Sequence, residues 1–291
     1  LVGIALLWVA GEPLWRAINH AMAAISTGGF TITDDGIANA PAQVKLAYVP
    51  IMLVGAISFL VHYRMVVQRV RFRALWQLLE VRVFVYVLVF GSLILWVHRA
   101  LVGGESDPVS SLVLWVSAMT ASGVASVDLT TVDNGSLLLL LVGLTMGGMA
   151  GSAAGGIKHL RVGLLFKDVI GQLRRLRATP HEVVVLRYNG NRITPEEMAA
   201  LGHTALRLVS VFILLWLAGV FLMLYWMPED MPLSYIFFDT ASAIFNNGLG
   251  VGIAGPDLDS GSALVMSMLM LLGRLEVFPL LLLAAFFLGR R

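Results

Sequence analysis

The chain has 291 residues, of which 58% are hydrophobic and 13% charged, with a mean hydropathy of +0.85 and a net charge of +2. Soluble domains carry about 25% charged residues, so this chain could not cover its own surface in water, and it is expected in a lipid bilayer. Cysteine is absent, which excludes disulfides, thiolate metal sites and a cysteine nucleophile.

In chain order, residues 1–10 are apolar but too short to cross a bilayer, and they lack the basic stretch of a signal peptide. With no initiator Met, they read as the tail of a span whose N-terminal part is missing. Spans of about 20 apolar residues are predicted over 44–61, 83–97 with borrowed flanks, 136 onward, 206–226 and 264–288. Between them lie three apolar segments of about 12 residues, 14–25, 108–119 and 233–245, too short to cross and of a length that suits re-entrant helices. Asp107-Pro108 opens the second with an N-cap and a first-turn proline. Glu12-Pro13 and Met231-Pro232 open the others.

A glycine-containing stretch follows each short helix: Thr27-Gly28-Gly29, Ala121-Ser122-Gly123 and Asn246-Asn247-Gly248. Glycines 29, 123 and 248 recur at spacings of 94 and 125. The unit is therefore span, short helix, glycine loop, span. The predicted division is a second unit over 1–73 with its first span truncated, a third over 74–177, a cytoplasmic connector over 178–197, and a fourth over 198–291. Four such units would close around one axis, so about three of four are expected here, in an all-α membrane fold of pseudo-fourfold symmetry.

Basic residues concentrate in 64–82, in 158–207 and at Arg290 and Arg291. Acids concentrate elsewhere, at Glu12, Asp34, Asp35, Glu105, Asp107, Asp128, Asp133, Glu229, Asp230, Asp257 and Asp259. Short basic loops stay cytoplasmic, which puts the basic segments and the C-terminus inside and the acidic loops outside, where they would gather cations or simply be solvated. All three glycine loops then face outward. Irregular backbone at membrane depth is tolerated where it lines a cavity. An extended loop can turn its carbonyl oxygens inward to replace a cation's water shell, and the helix C-termini favour a cation there. The loops contain no acid, which favours carbonyl coordination over a carboxylate ring.

Two later features invite function. Gly147, Gly148, Gly151, Gly155 and Gly156, with Ser152, would cost a plain helix about 1 kcal/mol per glycine, so the span from 136 is expected to break into a loop crossing under the filter. Arg274 sits near mid-membrane by length, where a charge is a functional candidate. Glu276, two residues on, cannot share its helix face. His62, His98, His159, His181 and His203 fall toward span ends and read as solvated interfacial residues.

These stretches resemble the Trk/Ktr/HKT superfamily of potassium transporters, specifically the TrkH-like pore subunits. The resemblance runs over essentially the whole chain and is most specific in the glycine-rich block ending Ile157-Lys158 and in Gly273-Arg274-Leu275-Glu276. It implies four repeats around a pore with one filter glycine each (Gly29, Gly123 and Gly248 here), a gating loop at residues 147–156, and a gating arginine at Arg274. It further implies K+ as the transported ion with no bound cofactor, a homodimer in the inner membrane, and docking on a cytoplasmic nucleotide-binding regulatory subunit of the TrkA-like, RCK type, with residues 158–192 as contact. No nucleic-acid partner is implied. The fourth unit's loop is one residue short of the expected pattern, so Gly248 and Gly250 both qualify as its glycine. Competing readings are a secondary transporter working by alternating access and a membrane enzyme. The absence of a His-Glu-x-x-His motif, a nucleophile elbow and paired acids at membrane depth argues against the second.

Overall fold

A computed structural model of the chain describes residues 1–32, 36–103, 107–177, 186–255, 258–275 and 286. The second half of the predicted 264–288 span, Glu276, Arg290 and Arg291, residues 178–185 of the connector with His181, and the loop acids Asp34, Asp35, Glu105 and Asp257 lie outside the described residues.

The architecture is helical, with one small hairpin among the described residues. The first stretch comprises α1 (Val2–Val9), α2 (Leu14–Ile25), α3 (Ala42–Ala56), α4 (Phe59–Val66) and the single turn α5 (Phe72–Leu75). Next come α6 (Leu79–Val102), α7 (Pro108–Met119), α8 (Asn134–Met146) and α9 (His159–Arg177). After the hairpin of β1 (Leu186–Tyr188) and β2 (Asn191–Ile193) follow α10 (Pro195–Trp226), α11 (Leu233–Ile244) and α12 (Ser260–Arg274).

Among the described residues two helices, α6 and α10, are each long and apolar enough to cross a membrane. Both run beyond the predicted spans. The extension of α10 starts from a capping box, with the Thr194 hydroxyl accepting from the Glu197 N–H and the Glu197 carboxylate accepting from the Thr194 N–H, a pattern that satisfies two otherwise orphaned donors.

The predicted span at 44–61 is not continuous. It breaks at Ile57–Ser58, and α3 and α4 meet at 99°. The cause is tertiary. The Ala56 carbonyl accepts from the Met149 N–H at 2.9 Å, the Gly55 carbonyl accepts from the Ala153 N–H at 3.3 Å, and the Phe59 N–H donates to the Gly151 carbonyl at 2.9 Å. The groups that would have continued the helix are taken by a neighbouring loop.

The span predicted from 136 is interrupted as its glycines require. α8 stops at Met146, α9 starts at His159, and the loop between them is stitched at its base by Lys158 N–H to Met146 O and Ile157 N–H to Thr145 O, both 2.9 Å.

Of the three short helices, α7 and α11 are buried at the centre, whereas α2 buries Ala17, His20, Ala21 and Ala24 against α1 and α3 and leaves Leu14, Trp15 and Met22 exposed. α7 lies against α3, α6 and α8, and α11 against α8, α10 and α12. Trp115 and Met119 of α7 and Phe238 of α11 pack with Phe212 and Phe245 in the core around them. By contrast, Phe90, Ile94, Leu214, Phe221 and Tyr225 are exposed on the two long helices, as expected where the solvent is hydrocarbon. A second small core of Leu79, Leu164, Leu186, Met198 and Ala205 ties the hairpin to α9 and α10.

Candidate functional site

The three short helices end in one geometry. Each has 12 residues, and each ends in a Schellman motif with a left-handed residue at the same place: Thr27 (φ 55°), Ala121 (φ 53°) and Asn246 (φ 52°). The wrapping bond recurs as Gly28 N–H to Ala23 O, Ser122 N–H to Ser117 O and Asn247 N–H to Ser242 O, at 2.8, 3.1 and 2.9 Å. Two residues past each left-handed residue stands a second one, Gly29 (φ 69°), Gly123 (φ 69°) or Gly248 (φ 93°). Gly248 thus holds the register of Gly29 and Gly123. Gly250 lies two residues outside it, against the Asp239 carboxylate.

These segments, 94 and 125 residues apart in sequence, touch in space. A methyl group on Gly29 would lie 2.9 Å from the Gly123 Cα. One on Gly123 would lie 2.6 Å from the Asn247 carbonyl oxygen and 3.0 Å from the Gly248 Cα. Gly123 therefore sits between the other two, with no room for a side chain. The Asn247 amide crosses from one loop to the next helix end, donating to the Ala118 carbonyl at 2.6 Å. Thr120 and Ser122 share a hydroxyl hydrogen bond of 2.8 Å. On the open side, a cavity of about 590 Å³ separates the Thr27–Gly28–Gly29 loop from the Asn246–Asn247–Gly248 loop. Met266, Met270, Asp239 and Arg274 also line it.

The glycine-rich loop lies directly against these ends. A Cβ on Gly155 would fall 2.2 Å from the Phe245 carbonyl oxygen. Gly147 and Gly156 abut each other at the base of the loop, Gly148 packs on Ala154 and the Ala56 carbonyl, and Gly151 faces Ser58. The Ser152 hydroxyl donates within the loop to Met149 O at 2.7 Å. One carbonyl joins three parts of the molecule: Ala153 O accepts from the Thr27 hydroxyl at 3.0 Å and from the Arg274 guanidinium at 3.1 Å. Glu80 accepts from the Ala150 N–H, and the Lys158 ammonium donates to the Ala154 carbonyl. The arrangement brings three helix C-termini together beside a cavity lined by loop backbone and by polar side chains, among them Asp239, Asn246, Asn247 and the Arg274 guanidinium.

Other residues depart from expectation. His159 is not interfacial. It is fully buried, its ring 5.1 Å from Phe84 and its Nδ1 3.3 Å from the Gly148 carbonyl. Glu12 is not a solvated loop acid. It is buried beside His20 Nδ1 (2.7 Å) and the Tyr48 hydroxyl (3.2 Å). Pattern and spacing do not single out His20 or Asp239, although an ionisable side chain inside a short apolar helix is itself a signal.

A predominantly helical chain with long apolar helices, and with three short helices whose glycine loops touch, has the fold of an integral membrane protein. The TrkH family model, described as a cation transport protein, matches residues 8–103 and 104–289, and the chain belongs to that family. Over its full length it is 29% identical to the Trk system potassium uptake protein TrkG of Escherichia coli strain K12, covering 60% of that protein. It is 27% identical over 95% of its length to TrkH of Salmonella typhimurium, covering 57% of it. The crystal structure of the potassium transporter TrkH from Vibrio parahaemolyticus superposes with a TM-score of 0.83 at 25% identity, over 97% of this chain and 60% of that one. The chain thus spans about 60% of the length of these relatives.

Proposed function

We propose that this chain forms three sides of a gated pore for K+ uptake, with the backbone of Thr27–Gly28–Gly29, Ala121–Ser122–Gly123 and Asn246–Asn247–Gly248 as its selectivity filter. The observation that carries this reading is the contact of three register-equivalent glycine loops at the C-termini of three short helices. Carbonyl oxygens there replace the hydration shell of a cation, and the helix ends add partial negative charge. K+ as the cargo rests on the relatives, which are named for potassium uptake. The side between the Gly29 and Gly248 loops, where the cavity lies, is the place for a fourth such unit. The units divide as 1–73, 74–177 and 198–291 around the connector 178–197.

The segment 147–156 is the gate. Gly147, Gly148, Gly151, Ser152, Gly155 and Gly156 let it cross beneath the filter. Arg274 and Thr27 hold it closed through Ala153 O. Movement of this loop opens the path. The protein sits in the inner membrane as a homodimer with its C-terminus cytoplasmic. The basic stretch 158–192 faces a nucleotide-binding regulatory subunit. These last assignments rest on the family resemblance and the charge pattern.

The test is Rb+ or K+ uptake by the full-length protein in transport-deficient cells, comparing Gly123→Ser with the wild type. Reduced uptake or weakened discrimination against Na+ is expected, because the hydroxymethyl group would enter the space of the Asn247 carbonyl and Gly248. Unchanged uptake and unchanged discrimination would overturn the filter assignment.

A further inference from the structure

The segment leaving each glycine loop is tied back to its own short helix at one register, three residues past the glycine, by a backbone N–H in the first and last units and by a serine hydroxyl in the middle one. In the first unit present, the Ile32 N–H donates to His20 Nε2 at 3.2 Å. In the middle unit, the Ser126 hydroxyl donates to the Ser110 carbonyl at 2.8 Å. In the last, the Val251 N–H donates to Asp239 Oδ1 at 2.8 Å, and the Ile253 N–H donates to Oδ2 at 2.9 Å. His20 and Asp239 hold the same helical position, nine residues before Gly29 and Gly248. Leu114 holds it in the middle unit.

Asp239 is 2% exposed. Each of its oxygens receives a backbone N–H, the pattern of a carboxylate acting purely as acceptor. Burying such a group is costly unless it is fully hydrogen-bonded. The packing of a short helix does not require a charge here, since Leu114 fills the equivalent place without exposure. The carboxylate also lies against Gly250 and lines the cavity beside the filter loops. One side chain thus fixes two alternate amides of the irregular segment leaving Gly248, which orients the intervening carbonyls and sets their spacing at the outer end of the path.

We propose that Asp239 is a positioning and specificity-determining residue for the ion pathway, with His20 its weaker counterpart in the first unit present. This rests on the filter reading given above. The experiment measures the ratio of Rb+ to Na+ uptake by the full-length protein for Asp239→Asn, with Gly248→Ser as a filter control. The amide can accept only one of the two N–H groups and turns its own N–H toward the other. The Rb+/Na+ ratio is expected to fall about tenfold, the scale of one lost hydrogen bond to a charged group. A ratio within twofold of wild type would overturn the proposal. If Gly248→Ser changes the ratio and Asp239→Asn does not, the positioning role fails and the filter reading stands. If both are silent, both fail. Should Asp239→Asn not yield folded protein, His20→Gln and His20→Leu decide. Glutamine can still accept from Ile32 N–H and should keep the wild-type ratio, whereas leucine should lower it severalfold. Equal ratios for the two would overturn the tie as a selectivity device.

Discussion

Thr27, Ala121 and Asn246 each adopt a left-handed backbone that costs an L-residue about 1–2 kcal/mol. Asparagine tolerates it best, and alanine has no side-chain group to compensate. Ala121→Gly is therefore expected to raise stability by about 0.5–1 kcal/mol, visible as a higher thermal unfolding midpoint in detergent. Gly273 behaves oppositely. A methyl there would meet the Ile244 carbonyl oxygen at 1.8 Å and the Asn246 amide at 2.4 Å. Both belong to a helix end that cannot retreat without moving the glycine loop. Gly273→Ala should cost about 3 kcal/mol or more through overpacking, and the same melting experiment checks it. Thr27→Val deletes one of the two donors on Ala153 O. It should weaken the loop's anchorage by about 1 kcal/mol and raise basal K+ leak in liposomes.

At the scale of the element, helix starts carry the clearest electrostatics. Asp133 caps α8 through the Ser136 N–H and hydroxyl, and it bonds His98 at 2.9 Å. Burial draws its carboxyl upward, but the hydrogen bonds from His98 and Ser136 outweigh this and hold it down at about 2, against an ordinary 3.8. Because the folded value is the lower one, this contribution is complete above pH about 4 and is lost as pH falls through about 2. Asp133→Ala should cost about 1 kcal/mol at pH 7 and flatten the acid limb of the stability profile between those values. A mutant whose acid limb matches wild type would show the cap to be dispensable.

The short helices were legible residue by residue, because length, composition and the Asp107-Pro108 start are local signals. The end of α3 was not. Hydropathy continues through Ile57–Ser58, and only the competing hydrogen bonds from Met149, Ala153 and Gly151 stop the helix there. The hairpin escaped the hydrophobic pattern, although Asn189-Gly190, both at positive φ, is the residue pair a tight turn of this kind favours.

Across the molecule, the loop at 147–156 gathers contacts from distant parts of the chain. It is held by Gly55 and Ala56 at the end of α3, by Glu80 at the start of α6, and by Arg274 at the end of α12. Arg274→Gln removes the charge beneath the glycine loops and weakens the second donor to Ala153 O. Under the proposed gating scheme, K+ flux at rest should rise severalfold, and unchanged resting flux would count against a gating role.

Membrane residence, three 12-residue helices, their glycine loops, the broken span and the family resemblance follow from the sequence alone. Each depends on local composition or on a period within one segment. Which residues stand together was decided only by tertiary structure. The contact of Gly29, Gly123 and Gly248, the register that distinguishes Gly248 from Gly250, the break in α3, the burial of Glu12 and His159, and the grip of Asp239 on Val251 and Ile253 all join segments by close approach. Hydropathy is a property of single segments in lipid. Hydrogen-bond satisfaction at membrane depth is a property of the whole bundle, since no water is present there to complete what a neighbouring unit leaves unmade.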